Sequence, residues 1–206
     1  LLLHSAKRVA ALESYIGLVE VGVGLVPGGG GLKEAAIRAA EAASAAGSVQ
    51  YLQFVTKSFT NAAMAKVSTS ALDARDMGYL KPTDTIVYNV HELLSVARNE
   101  ARALAISGYR PPLKPAGIPV AGRSGVSTIK ASLVNMRDGN FISAHDFLIA
   151  SRIAEAVCGG DVEAGSLVNE EWLLALERRA FIELLGTSKT QERIMGMLQT
   201  GKPVRN

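Results

Sequence analysis

The residues best suited to chemistry lie in one short segment near the start of the sequence. Glu20 is the only carboxylate of an apolar, partly β-branched stretch that runs through Pro27 into four glycines at 28–31. Glycines permit positive φ angles and leave backbone amides open at the start of a helix, so side chains are expected to be tolerated poorly at all four positions. A lone acid before such a turn is the pattern of a buried acid/base catalyst.

The same segment also has a simpler structural interpretation, which spacing alone favours. The glycines would only fit a tight bend between a strand and a helix, and Glu20 would lie at a solvated strand end. Known phosphate loops do not match, because a Walker loop requires Lys-Ser/Thr after its last glycine and Gly31 is followed by Leu-Lys-Glu. A dinucleotide fingerprint lacks its acidic residue about twenty positions further on.

A resemblance to a known family distinguishes between these interpretations. The segment 15–31 resembles the second catalytic segment of the crotonase (enoyl-CoA hydratase/isomerase) superfamily, in which Pro-Glu and hydrophobic residues precede a Pro-Gly-Ala/Gly-Gly-Gly turn. More specifically, residues 17–24 and 195–206 are similar to crotonase modules fused behind a bacterial-type 3-hydroxyacyl-CoA dehydrogenase. The opening residues 1–10 resemble the helix that follows the family's first catalytic segment, so the chain is expected to be a carboxyl-terminal fragment.

The resemblance implies an activity and two site residues. Glu20 matches the second of two glutamates that add or remove water across the α,β double bond of an acyl-CoA. Gly28 matches the position whose backbone amide lies beside the reacting water. The partner glutamate and the amides that bind the thioester oxyanion would precede Leu1, so the isolated chain is expected to be inactive. The parent would work in fatty-acid β-oxidation, with acyl-CoA as substrate.

The expected fold is mainly α with a few short strands (α+β): the carboxyl-terminal half of a crotonase-like ββα spiral plus a helical tail. Proline and glycine density divides the chain into a crotonase-like core at 1–107, a connector at 108–126 and a helical region at 127–206. Ser48, Ser70 and Ser143 are predicted N-caps. Helices are predicted at 32–46, 49–65, 91–107, 127–136, 143–158, 169–185 and 188–198, with a helix end at 1–10 and strands at 15–23 and 84–89.

Composition excludes several classes of function. A net charge of +3, scattered Lys and Arg, and 5% aromatic residues do not indicate nucleic-acid binding. No run reaches the roughly 18 uninterrupted apolar residues of a membrane span. The single cysteine, Cys158, is predicted to be a small buried hydrophobe. A reducing compartment fits, and the cytoplasm is the expected location.

The other reactive side chains are expected to be structural. The three histidines are remote from one another in sequence and predict no metal site. His145 and Asp146 are interpreted as an exposed pair at a helix start, Trp172 as part of a packing stripe, and 177–179 as a solvated helix face. No cofactor is expected within this chain, and NAD would bind the dehydrogenase part of the parent. The parent is expected to be a homo-oligomer, and a competing hypothesis makes this segment a catalytically silent assembly domain.

Overall fold

The computed structural model describes residues 1–115 and 117–206 and is 58% helix, with only a few short strands. This confirms the predicted class, mainly α with a few strands. The α-helices in chain order are α1 (Gly31–Ala45), α2 (Tyr51–Ala63), α3 (Ala71–Asp76), α4 (Leu93–Ile106), α5 (Gly122–Asp138), α6 (Ala144–Cys158), α7 (Glu170–Leu185) and α8 (Ser188–Thr200). The strands are β1 (Val9–Ala11), β2 (Thr85–Val87), β3 (Ile118–Pro119) and β4 (Leu167–Val168).

One compact unit comprises residues 1–17 and 67–114. Its strands β1 and β2 pair in parallel, and α4 lies against β1. Just before the two strands, Arg8 Nε donates a 2.6 Å hydrogen bond to Asp84 Oδ2, and both side chains are buried. Burial by itself would raise the pKa of Asp84, but hydrogen bonds from Arg8 and from the Lys81 amide hold that pKa below its ordinary value. This ion pair therefore joins the starts of β1 and β2.

The other compact unit comprises residues 18–66 and 115–206 and contains the candidate site. Helix α6 lies at its centre and packs against α1, α2, α5 and α7. Ile149, Ile153 and Cys158 of α6 are fully buried, as the apolar periodicity of this helix requires. The predicted burial of Cys158 is confirmed, and burial raises the pKa of its thiol to about 12.

Helix caps follow the predicted signals closely. Ser70 Oγ accepts from the Asp73 amide, and Ser143 and Asp146 form a reciprocal capping box at the start of α6. Ser48 is the exception, because α2 begins only at Tyr51 and the Ser48 hydroxyl instead accepts from the Gln50 amide.

The strand predicted at 15–23 is wrong. Glu20–Val23 forms a 3₁₀ turn, in which the amide of Gly22 donates to Val19 and that of Gly24 donates to Val21. Gly24 adopts φ +84°, a left-handed conformation that ends the turn. The backbone thus satisfies its hydrogen bonds locally in a turn that Gly24 ends, although the apolar pattern is that of a buried strand.

Two further boundaries differ from the predictions. Within the predicted helix end at 1–10, Leu2–His4 forms a short 3₁₀ helix, but strand β1 begins at Val9. Helix α5 starts at Gly122, five positions before the predicted Ser127. The compact units interleave along the chain, whereas the predicted division at 1–107, 108–126 and 127–206 is consecutive. The roles assigned to those three stretches stay predictions.

Among the described residues, no helix is both long and apolar enough to cross a bilayer.

Candidate active site

The Glu20 carboxylate begins the 3₁₀ turn and is only partly exposed. Its Oε2 atom is shielded from solvent and has no hydrogen-bond partner among the described residues. Most buried polar atoms in proteins are paired, so an unpaired carboxyl oxygen is a feature that requires a reason. Oε2 therefore keeps an unused capacity to accept a hydrogen bond or a proton.

Glu20 and Gly28 belong to the same compact unit and bound one short segment. Between them Val21, Leu25 and Val26 are buried in the core, which fixes the segment at both ends. Gly28 itself is exposed, and a Cβ atom added there would lie 2.6 Å from Cδ2 of Phe181. The turn therefore requires glycine at this position, because the Phe181 ring occupies the space of a side chain.

The four glycines are not equivalent, which corrects the expectation that all of them exclude side chains. Gly30 is the N-cap of α1 with φ +85°, a conformation that favours glycine. A Cβ atom at Gly31 would lie 2.9 Å from the flexible Leu18 side chain, and one at Gly29 would meet nothing within 4 Å. Only Gly28 and Gly30 thus have a strong steric or conformational requirement.

The first amides of α1 do not point into an open binding site, because Glu177 of α7 already occupies that position. Its Oε1 accepts from the Gly30 amide at 2.5 Å, and its Oε2 accepts from the amides of Leu32 and Lys33 at 2.9 and 3.2 Å. The expectation that 177–179 forms a solvated helix face is therefore wrong for Glu177, which is 1% exposed. The overlooked signal was its position four residues after buried Leu173 and three before buried Ala180.

This arrangement does not fit a dinucleotide cofactor. In a dinucleotide-binding turn the pyrophosphate lies against the amides at a helix N-terminus. Here a buried carboxylate takes the amides of Gly30, Leu32 and Lys33, and its charge would repel a phosphate. We therefore assign no NAD contact to these residues.

A hydrogen-bond chain holds the 3₁₀ turn against α8 and α6. Thr190 Oγ1 donates to the Gly24 carbonyl at 2.7 Å, and His145 Nε2 lies 2.9 Å from the same hydroxyl. The hydroxyl has a single proton, which goes to Gly24, so Nε2 of His145 is the donor in the second bond. The turn that begins with Glu20 is thus fixed at its glycine end.

His145 and Trp172 depart from their predicted roles. His145 is 4% exposed rather than part of a solvated pair, because it continues the Ile149–Ile153 face of α6 at a spacing of four residues. Trp172 is half exposed and outside the packing stripe, and its indole Nε1 donates to the Gly159 carbonyl at 2.9 Å. The flanking Leu173 is the stripe residue.

The described residues contain no cluster of three or more His, Cys, Asp or Glu side chains that could hold a metal ion.

Comparison with known proteins relates this chain to part of a larger one. Over 204 residues it is 44% identical to a protein of Bacillus subtilis (strain 168) named "Probable 3-hydroxyacyl-CoA dehydrogenase". The alignment covers 99% of this chain and 25% of the Bacillus protein, so the chain spans about a quarter of the length of the curated relative. No protein-family model matches the chain.

Proposed function

We propose that this chain is the hydratase portion of a longer fatty-acid β-oxidation enzyme that combines 3-hydroxyacyl-CoA dehydrogenase and enoyl-CoA hydratase activities. The name of the Bacillus relative supports the dehydrogenase class, and the crotonase-like motif at 15–31 supports the hydratase assignment. One structural observation carries the proposal: Glu20 Oε2 is shielded from solvent and unpaired, on the turn that leads to Pro27 and the glycines.

The reaction adds water across the Cα–Cβ double bond of an enoyl thioester. The water oxygen forms a bond with Cβ, one water proton goes to a carboxylate, and a carboxylic acid supplies a proton to Cα. Glu20 takes the part of the second glutamate of the family, and the Gly28 amide holds the reacting water. The first glutamate and the oxyanion amides match no residues of this sequence and would be supplied by other segments of the enzyme.

The remaining assignments belong to the same proposal. Acyl-CoA is the substrate, NAD serves the dehydrogenase portion outside this chain, the enzyme is a homo-oligomer, and the cytoplasm is its compartment. None of these assignments requires a ligand or a cofactor at the N-terminus of α1, where the Glu177 carboxylate already accepts the amide hydrogen bonds.

The test is a Glu20→Gln substitution in the full-length protein that carries this chain. Glutamine keeps the size of the side chain and removes its proton chemistry, so hydration of crotonyl-CoA should fall by roughly two orders of magnitude or more. NAD reduction with a 3-hydroxyacyl-CoA should be retained. Glu13→Gln, an exposed carboxylate seven residues earlier, is the matched control and should hydrate normally. Normal hydration by the Glu20 variant would refute the assignment.

A second candidate function is assembly without catalysis. Helix α4 has no buried residue and exposes Leu94 and Ile106, so these apolar side chains are available to contact another segment or subunit. This alternative predicts that Glu20→Gln leaves hydration unchanged, while charged residues at Leu94 alter the oligomeric state.

A further inference from the structure

Helix α7 reaches the glycine turn at two points that are one helical turn apart. The Glu177 carboxylate accepts three amide hydrogen bonds from residues 30–33, and the ring of Phe181 fills the space beside Gly28. Residues four apart lie on the same face of a helix, so one face of α7 contacts both sides of the turn. The turn is thus fixed by a helix about 150 residues away in the sequence.

Burying the Glu177 carboxylate beside the glycine turn costs free energy. A carboxylate with 1% exposure loses nearly all of its hydration, which is tolerated only with close hydrogen-bonding or ionic partners. Burial raises the pKa of Glu177 above its ordinary value, while the three amides and the Lys33 ammonium act in the opposite direction. A serine or aspartate N-cap would satisfy the helix start more simply, so the long reach from α7 requires a further reason.

We propose that Glu177 is a positioning residue for the hydration reaction, which holds the glycine turn so that the Gly28 amide faces the reacting water. The inference rests on the proposed function. Glu177 itself does not touch the substrate: both of its carboxylate oxygens are occupied by backbone amides. It acts on the reaction through the glycine turn, which Phe181 of the same helix also contacts.

The two carboxylate oxygens of Glu177 accept hydrogen bonds from different amides, so two substitutions at this residue can test these hydrogen bonds. Oε1 serves Gly30, while Oε2 serves Leu32 and Lys33. Glutamine replaces one oxygen with an amide group that only donates, so Glu177→Gln releases one side of the turn with little change in side-chain volume. Glu177→Asp keeps the charge but is one methylene shorter, so the turn must move toward α7 to keep its hydrogen bonds.

The experiment measures kcat and KM for crotonyl-CoA hydration in the full-length protein, together with the melting temperature. Both Glu177 variants should lose kcat by roughly tenfold to a hundredfold, the effect of a small displacement of a positioned group. KM should stay within about twofold, because ground-state contacts with the acyl-CoA are unchanged. Glu171→Gln, the same substitution at an exposed position of α7, should keep wild-type kinetics.

Each outcome decides the inference. Wild-type kcat in a folded Glu177→Gln or Glu177→Asp protein overturns it, and so does a loss confined to KM. Failure of both variants to fold also overturns it, because Glu177 would then be a residue of the fold alone. If Glu20→Gln hydrates normally, the proposed function itself fails. If Glu20→Gln is inactive while the Glu177 variants are normal, only the positioning role fails.

Discussion

At the scale of single residues, a charged side chain of α8 is buried close to the turn that begins with Glu20. Arg193 is fully buried, and its guanidinium donates to Asp146 Oδ1 at 2.8 Å and to Asn206 Oδ1 at 2.8 Å. Beside it, His145 and Thr190 connect α6 and α8 to the Gly24 carbonyl. A cation in this position makes a second positive charge on His145 unfavourable. The 3₁₀ turn of Glu20 is therefore attached to a network in which burial and Arg193 lower the pKa of His145.

This network predicts a pH dependence of stability. Burial, Arg193 and Lys189 lower the pKa of His145 from its ordinary 6.5, against the weaker opposite influence of Asp146 and Glu192. The unfolded histidine binds a proton as the pH falls below 6.5, and the folded one binds it less readily, so stability should decline as the pH falls from 7 to 5. His145→Gln, whose amide can still donate to Thr190, should show a smaller decline in melting temperature.

Two comparisons make that prediction specific. His91→Gln removes an exposed histidine and should leave the decline between pH 7 and pH 5 as it is in the wild type. Asp84, Asp146 and Glu155 have lowered pKa values, so their stabilisation is present above their ordinary values of 3.8 to 4.5 and is lost only in more acidic solution. Equal slopes in the wild type and in His145→Gln would contradict the role of His145.

Residue roles could be predicted only where the signal was local. Cys158 was assigned correctly, because apolar neighbours along α6 imply burial. The spacing of Glu177 to Leu173 and Ala180 indicates its burial, but its amide partners lie 144 to 147 positions away and no local pattern marks them. Glu20 and Gly28 are assigned from the crotonase-like motif alone, and their roles in catalysis stay predictions.

At the scale of elements, the glycine turn is a joint between the 3₁₀ turn and α1. Pro27 is buried, the exposed Gly28 and Gly29 follow it, and Gly30 turns the chain into the helix with φ +85°. Glu177 then supplies the helix-start hydrogen bonds that no N-cap side chain provides. The need for glycine therefore differs from position to position along the turn, because each position has its own backbone conformation and its own neighbours.

The adjacent glycines Gly29 and Gly30 should therefore respond differently to the same substitution. Gly30→Ala forces a side chain into the left-handed region and should reduce the free energy of unfolding by about 1–2 kcal/mol. Gly29→Ala meets open space and should change it by less than about 0.5 kcal/mol. Urea unfolding of the two variants measures the difference. Equal effects would show that the conformation of Gly30 is not the determinant.

Elements were predicted well where caps mark their ends and poorly where glycines mimic a strand. Ser70 caps α3 through the Asp73 amide, and Ser143 caps α6, both as the sequence predicts. The segment 15–23 has the composition of a buried strand, yet residues 20–23 form a 3₁₀ turn that ends at Gly24 with φ +84°. The apolar composition indicates that this segment is buried, but it does not determine the backbone conformation, which depends on the φ angles that the glycines adopt.

At the scale of the whole molecule, the two compact units are formed from segments far apart in sequence. One joins 1–17 with 67–114, and the other joins 18–66 with 115–206. Proline and glycine density indicated one boundary near Lys114, because such residues interrupt helices. It could not indicate the boundaries after Gly17 and Lys66, where the change of unit leaves no compositional mark.

The 206-residue chain alone should associate with itself and should not hydrate crotonyl-CoA. Each strand of the parallel pair β1–β2 has one unpaired edge among the described residues, and α4 exposes Leu94 and Ile106. Two-stranded sheets are marginal in water, and exposed strand edges and exposed apolar side chains promote association. Catalysis should be absent because the sequence matches one of the two glutamates that the crotonase resemblance requires, and positioned electrostatics supply the largest rate factor. Sedimentation across a concentration series and a crotonyl-CoA assay measure both properties. A monodisperse monomer with enzyme-like turnover would show that the active site lies elsewhere in this chain.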